Sequence, residues 1–270
     1  MLQKEPEMRY KLAEDAKPQV WLLLVATVVT IALWIIPYGG YVVYPIRLFV
    51  TFIHESSHAL MAVVTGGAVQ SLTIAADGSG LTYSAPSGFF GGMLTSSAGY
   101  IGTTVAGVLM LYLIRKRFSP NKILTAEGLF VALMLVVFTL LSPIFNFLSL
   151  QVSFSSVLFT LITGGVLAGG LIALGIFASS RLASFAVAFL AVQCLLNAIT
   201  DQITLFFINA PFSGSDVQND ALNMANATHL PGIVWVVIWI GISLLMISLG
   251  LRLYAVNQTK VSSTETVFED

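Results

Sequence analysis

Seven long apolar stretches divide this chain and leave it little choice of architecture. They cover residues 20–36, 46–64, 89–114, 123–141, 155–177, 182–208 and 233–253. About 20 mostly apolar residues suffice to carry a helix across the hydrocarbon core of a bilayer. In lipid every backbone N–H and C=O must be bonded within the protein, which restricts spanning segments to helices or closed barrels. Of the 270 residues, 57% are hydrophobic and 9% are charged, where soluble domains carry about 25% charged residues. The sequence therefore predicts an all-α membrane protein, a multi-pass bundle of about seven transmembrane helices in the cell membrane, with the lipid bilayer as its solvent. A net charge of −1 offers no basic surface to nucleic acid. The single cysteine, Cys194, excludes an internal disulfide, and its apolar neighbours mark it as an inert core thiol.

Between the apolar stretches three segments have a different character. Residues 1–19 and 255–270 form polar tails around one integral membrane domain, 20–254, with disorder expected at the chain ends. The first tail mixes acids and bases ahead of an apolar run with no small-residue cleavage site, which is not the pattern of a cleavable signal peptide. Residues 66–87 alternate polar and apolar side chains on either side of Asp77-Gly78-Ser79-Gly80, the signature of a β-hairpin with an Asp-Gly turn. Residues 209–230 read as a polar connection with a short helix over 220–228, and residues 144–150 as a continuation of the fourth helix past a kink at Pro143. Arg115, Lys116, Arg117, Lys122, Arg181, Arg252 and Lys260 fall on one side when the last five helices alternate, and that side is expected to be cytoplasmic. Strict alternation puts the N-terminal tail outside, although its Lys4, Arg9, Lys11 and Lys17 suit the inside. A re-entrant hairpin at 66–87, or a different assignment of the passage near residues 38–44, reconciles the two.

Inside the second apolar stretch stands His54-Glu55-Ser56-Ser57-His58. The chain has only three histidines, and two of them sit four residues apart. Imidazoles at i and i+4 of a helix share a face, with Cβ atoms roughly 5–6 Å apart, and can grip one metal ion. A glutamate directly after the first histidine completes the helical zinc pattern in which it acts as general base. Ionisable groups are costly in lipid, so those within the spans are informative: Arg47, His54, Glu55, His58, Glu127 and Asp201. Arg47 and Glu127 read as helix-end residues that snorkel or cap. A hydrolytic zinc site keeps three protein ligands and one open position. Asp201 is the preferred third ligand, because no basic residue in its own helix pairs with it. Asn197, one turn earlier on the same face, is placed to hydrogen-bond a ligand or a substrate backbone. Asp220 is the alternative third ligand, weighed against a role as helix N-cap. His229 reads as a surface histidine.

These residues resemble the site-2 protease class of intramembrane zinc metallopeptidases, in its compact branch without a PDZ domain. The resemblance runs through Phe52-Ile53-His54-Glu55-Ser56-Ser57-His58-Ala59-Leu60 with Thr65-Gly66-Gly67, through Asp77-Gly78-Ser79-Gly80 with Thr82, through Ala98-Gly99-Tyr100-Ile101-Gly102, and through Asn219-Asp220-Ala221 with Thr228, Pro231 and Trp235. It implies His54 and His58 as metal ligands, Glu55 as the catalytic residue and Zn(2+) as the cofactor. It also implies that a hairpin edge strand aligns an unwound substrate by strand addition. The wider class carries an Asn-Pro motif and an Asp-Gly pair in its second catalytic helix. This chain has Asn197 and Asp201 without that proline or glycine, which leaves the third ligand between Asp201 and Asp220.

Three functions follow as expectations. The first is an intramembrane zinc metalloprotease acting on a membrane protein substrate. The second is a catalytically inactive metal-binding membrane scaffold of the same fold. The third, a transporter, lacks the paired repeats such proteins show.

Overall fold

The computed structural model describes residues 17–146, 152–210 and 218–255, so both polar tails lie almost wholly outside the described residues. Helix α1 (Lys17–Ile35) turns at left-handed Tyr38 into α2 (Gly39–Val64). Strands β1 (Ala68–Ile74) and β2 (Gly80–Ala85) follow, then α3 (Gly88–Arg115). Helix α4 (Pro120–Met134) widens into a π-helical segment (Leu135–Leu141) and ends in the short α5 (Ser142–Phe145). The rest is α6 (Phe154–Phe177), α7 (Ser180–Ile208), the short α8 (Asp220–Thr228) and α9 (Gly232–Ala255). Each of the seven predicted passages thus corresponds to a helix. Five are long and apolar enough to cross a membrane: Gly88–Arg115, Pro120–Phe145, Phe154–Phe177, Ser180–Ile208 and Gly232–Leu253. Helix α1 is apolar over Trp21–Leu33 among the residues described in full, and α2 is interrupted by its own polar residues.

The π segment has a local cause. Pro143 has no N–H to give to the carbonyl of Thr139, and its ring crowds that carbonyl. The widened turn carries the Thr139 hydroxyl to the hairpin, where it donates to the carbonyl of Leu72 at 2.8 Å. The predicted continuation past Pro143 is present as far as Phe145, and residues 147–151 lie outside the described residues.

The hairpin lies beside α2 and re-enters the bundle. Its strands pair antiparallel from Ala68↔Ala85 to Ile74↔Gly80, with a bulge between Val69 and Ser71. The turn needs Gly78, whose φ of 85° is left-handed. Non-helical backbone at membrane depth is stable only where protein satisfies it, and here hydroxyls do so. Ile74 N–H donates to Thr160 Oγ1 at 2.7 Å, Tyr44 O–H to Ala76 O at 2.7 Å, and Thr51 O–H to Gly78 O at 2.9 Å. Leu72 and Ile74 are buried against Phe49, Phe52, Val131 and Leu135 in the main core. Gly67 packs against Ala85 and Pro86, so the chain leaves the hairpin where it entered and α3 starts beside the end of α2.

Between helices in lipid no water is expelled, and close packing of small residues takes over from the hydrophobic effect. Gly102 lies against Ser57 of α2, Gly107 against Ala191 and Leu195 of α7, and Gly128 against Ala168 and Ile172 of α6. Cys194 is fully buried in the core among these contacts.

Candidate metal centre

His54 and His58 occupy successive turns of α2. Their Nε2 atoms are 3.0 Å apart. Asp220 Oδ2 lies 3.5 Å from the first and 3.3 Å from the second. Among the described residues this is the one group of three or more His, Cys, Asp or Glu whose ligand atoms converge. Bonds of about 2.0–2.1 Å in a tetrahedral zinc site imply ligand-to-ligand edges of roughly 3.3–3.4 Å, close to the three observed separations. Three donors of the right chemistry, with a fourth side open, fit such an ion.

The imidazoles are oriented from behind. His58 Nδ1 lies 2.6 Å from the carbonyl of Thr95. A carbonyl only accepts, so Nδ1 carries the proton and the Nε2 lone pair faces the triangle. The His54 ring meets Tyr100 edge-on at 4.6 Å, and Tyr100 stacks on Trp239 at 5.5 Å. Trp239 Nε1 in turn donates to Ser97 Oγ at 3.0 Å. Helix α3 comes this close because position 99 is glycine: a Cβ there would collide with the Nε2 atoms of both histidines.

Asp220 reaches the imidazoles because another residue caps its helix. Asn219 Oδ1 accepts the N–H of Leu222 at 3.0 Å, the N-cap role weighed for Asp220 itself. Ala221 and Met224 anchor α8 by burying against Tyr100, Val236 and Trp239.

The triangle opens into a cavity of about 770 Å³ whose walls include Glu55, Asn197 and Asp201. Glu55 is buried, and its carboxylate packs on Gly80, where a Cβ would come within 2.5 Å of Oε1. Thr82 O–H ties β2 to the carbonyl of Glu55 at 3.0 Å. Asp201, the preferred third ligand from sequence, is absent from the convergent group and stands on the cavity wall; Asp220 takes the place. The reason is tertiary: α8, held against α3 and α9, brings the Asp220 carboxylate to the imidazoles. Asn197 also lines the cavity, with its Nδ2 donating to Gln193 O at 2.8 Å within α7. His229 is an exposed left-handed residue ending α8.

Sequence reasoning missed Thr95, Tyr100, Gly80 and Gly99 as supports of the site. The only signal for Gly99 was its place in Ala98-Gly99-Tyr100-Ile101-Gly102. Arg47 and Glu127 also need correcting. Arg47 is the ninth residue of α2 and lines the cavity, and Glu127 is the eighth of α4, with Oε2 buried and lacking a hydrogen bond among the described residues. Neither is a helix-end residue.

Compared with known families, the chain matches the one described as Peptidase M50B-like over residues 23–250. No curated protein and no solved structure matches it.

Proposed function

Since this membrane protein belongs to the Peptidase M50B-like family of the site-2 protease class, we propose that it is an intramembrane zinc metalloprotease, multi-pass in the cell membrane, hydrolysing a peptide bond in a membrane-spanning or membrane-proximal protein substrate. The observation that carries this reading is the convergence of His54 Nε2, His58 Nε2 and Asp220 Oδ2 at one end of a cavity that Glu55 also lines.

His54, His58 and Asp220 would hold the zinc ion. When bound, zinc supplies Lewis-acid polarisation of a carbonyl and acidifies water. Glu55 is the general base: its carboxylate takes a proton from the attacking water and returns it to the leaving amine nitrogen. Thr95 and Tyr100 keep the imidazoles in place. Asn197 and the β2 edge provide hydrogen-bonding groups for a locally unwound peptide, which must leave its helix before its carbonyl can be attacked. The absent Asn-Pro and Asp-Gly patterns around Asn197 and Asp201 motivated an inactive scaffold. That motive weakens once the third carboxylate comes from α8.

The test is Glu55→Gln in the purified, zinc-loaded full chain. Metal content should stay near one equivalent, while peptide hydrolysis falls by about 10²–10⁴, the scale of general-base catalysis. Unchanged turnover would remove Glu55 from the chemistry, and absent turnover in wild type and variant alike would favour the scaffold.

A further inference from the structure

Arg47 is a charge inside the cavity to which the proposed chemistry gives no role. It lies on α2 seven residues before His54, a multiple of the helical repeat that puts both on one face with Thr51 between them. Both line the cavity that holds the metal-ligand triangle. An arginine inside an apolar helix is costly unless it meets an opposite charge or water. Among the described residues Arg47 has no carboxylate within ion-pair reach.

Two acids stand in electrostatic reach of Arg47, Asp77 and Asp201, and neither forms an ion pair with it. Asp77 accepts the N–H and O–H of Ser79 at 2.9 and 2.6 Å, which commits it to the hairpin turn. Asp201 stands on α7 and lines the same cavity. The guanidinium instead lies over Gly78, where a Cβ would approach Nε to 3.1 Å. The planar donor fork is thus left for an incoming acceptor.

We infer that Arg47 is a specificity-determining residue whose guanidinium receives a carboxylate of the substrate. The inference rests on the protease reading of the same cavity. Seven helical residues span roughly 10 Å at a rise of about 1.5 Å each, and an extended peptide covers that in about three residues at ~3.3 Å each. The acceptor is therefore an Asp or Glu side chain, or the peptide's terminal carboxylate, about three residues from the scissile bond.

The test uses fluorescent apolar dodecapeptides, each with one Glu or one Gln moved position by position, and the full-length chain in neutral detergent. Anisotropy reports binding and a second fluorophore pair reports cleavage. One Glu position, about three residues from the cut, should bind wild type about tenfold more tightly than its Gln counterpart, the scale of one charge-assisted hydrogen bond. Arg47→Gln should erase that preference and Arg47→Glu should shift it to a Lys peptide, with melting temperature and zinc content checked for each variant. Lack of a Glu preference in wild type, or an equal preference in Arg47→Gln, overturns the inference. So does Arg47-dependent binding of phosphatidylglycerol micelles without any peptide preference, which would assign the cation to lipid headgroups. Glu-selective, Arg47-dependent binding without cleavage anywhere would sink the protease reading alone, and cleavage without selectivity would sink this inference alone.

Discussion

A carboxylate nineteen residues further along the chain than Asp201 completes the convergent group with the two imidazoles. Asp220 is within 3.5 Å of both imidazoles, and its removal should cost most of the bound metal. Dialysed Asp220→Ala protein is expected to retain less than about a tenth of the wild-type zinc, whereas Asp201→Ala should retain nearly all of it; elemental analysis of the two reads this directly. Gly99 makes a second residue-scale test. Its missing side chain leaves room for both Nε2 atoms, while at Gly170 an added Cβ meets nothing within 4 Å. Gly99→Ala should therefore lose metal and Gly170→Ala should keep it. The histidine pair and Glu55 could be read from five consecutive residues, because their spacing is a property of one helix. Asp220 could only be held as an alternative, because no local rule brings one short helix over another's face.

At the scale of elements, the hairpin positions three parts of the site: the Gly80 contact on Glu55, the Thr82 bond to α2, and the turn under Arg47. Gly78 at φ 85° is its most exacting position. Gly78→Ala should destabilise the turn by about 1 kcal/mol through left-handed strain and crowd the Arg47 guanidinium. The expected result is faster proteolytic nicking at residues 75–80 with little change in helix content by circular dichroism. The alternating pattern and Asp-Gly turn made this element legible in advance. Its insertion between α2, α6 and the π segment was not, since that depends on hydroxyls such as Thr139 and Thr160 meeting strand carbonyls and amides from distant helices.

Across the whole molecule, buried polar contacts link helices that lipid alone would not hold together. Gln202 Nε2 donates to Ser243 Oγ at 2.8 Å and Thr104 O–H to the same oxygen at 3.1 Å, joining α7, α9 and α3 behind the site. Ser243→Ala would take the acceptor from Gln202 Nε2, while Thr104 keeps its bond to Tyr100 O, and should cost roughly 0.6–1.7 kcal/mol, the range for such bonds in membranes. Replacing Thr104, Gln202 and Ser243 together by apolar residues of similar size should restore much of that loss. Unfolding in mixed micelles measures both.

Hydropathy and spacing alone determined that this chain is a membrane-embedded helical bundle with a hairpin insertion and a histidine pair followed by an acid. Those properties follow from the bilayer's thickness, the helix's pitch and the strand's alternation, which act over a few residues or one segment. Only the tertiary structure decided that Asp220 joins the histidines, that Gly99 admits them and that Arg47 faces their cavity. Such matters turn on which helices touch, and at what distance, and that is fixed by contacts between residues far apart in the chain.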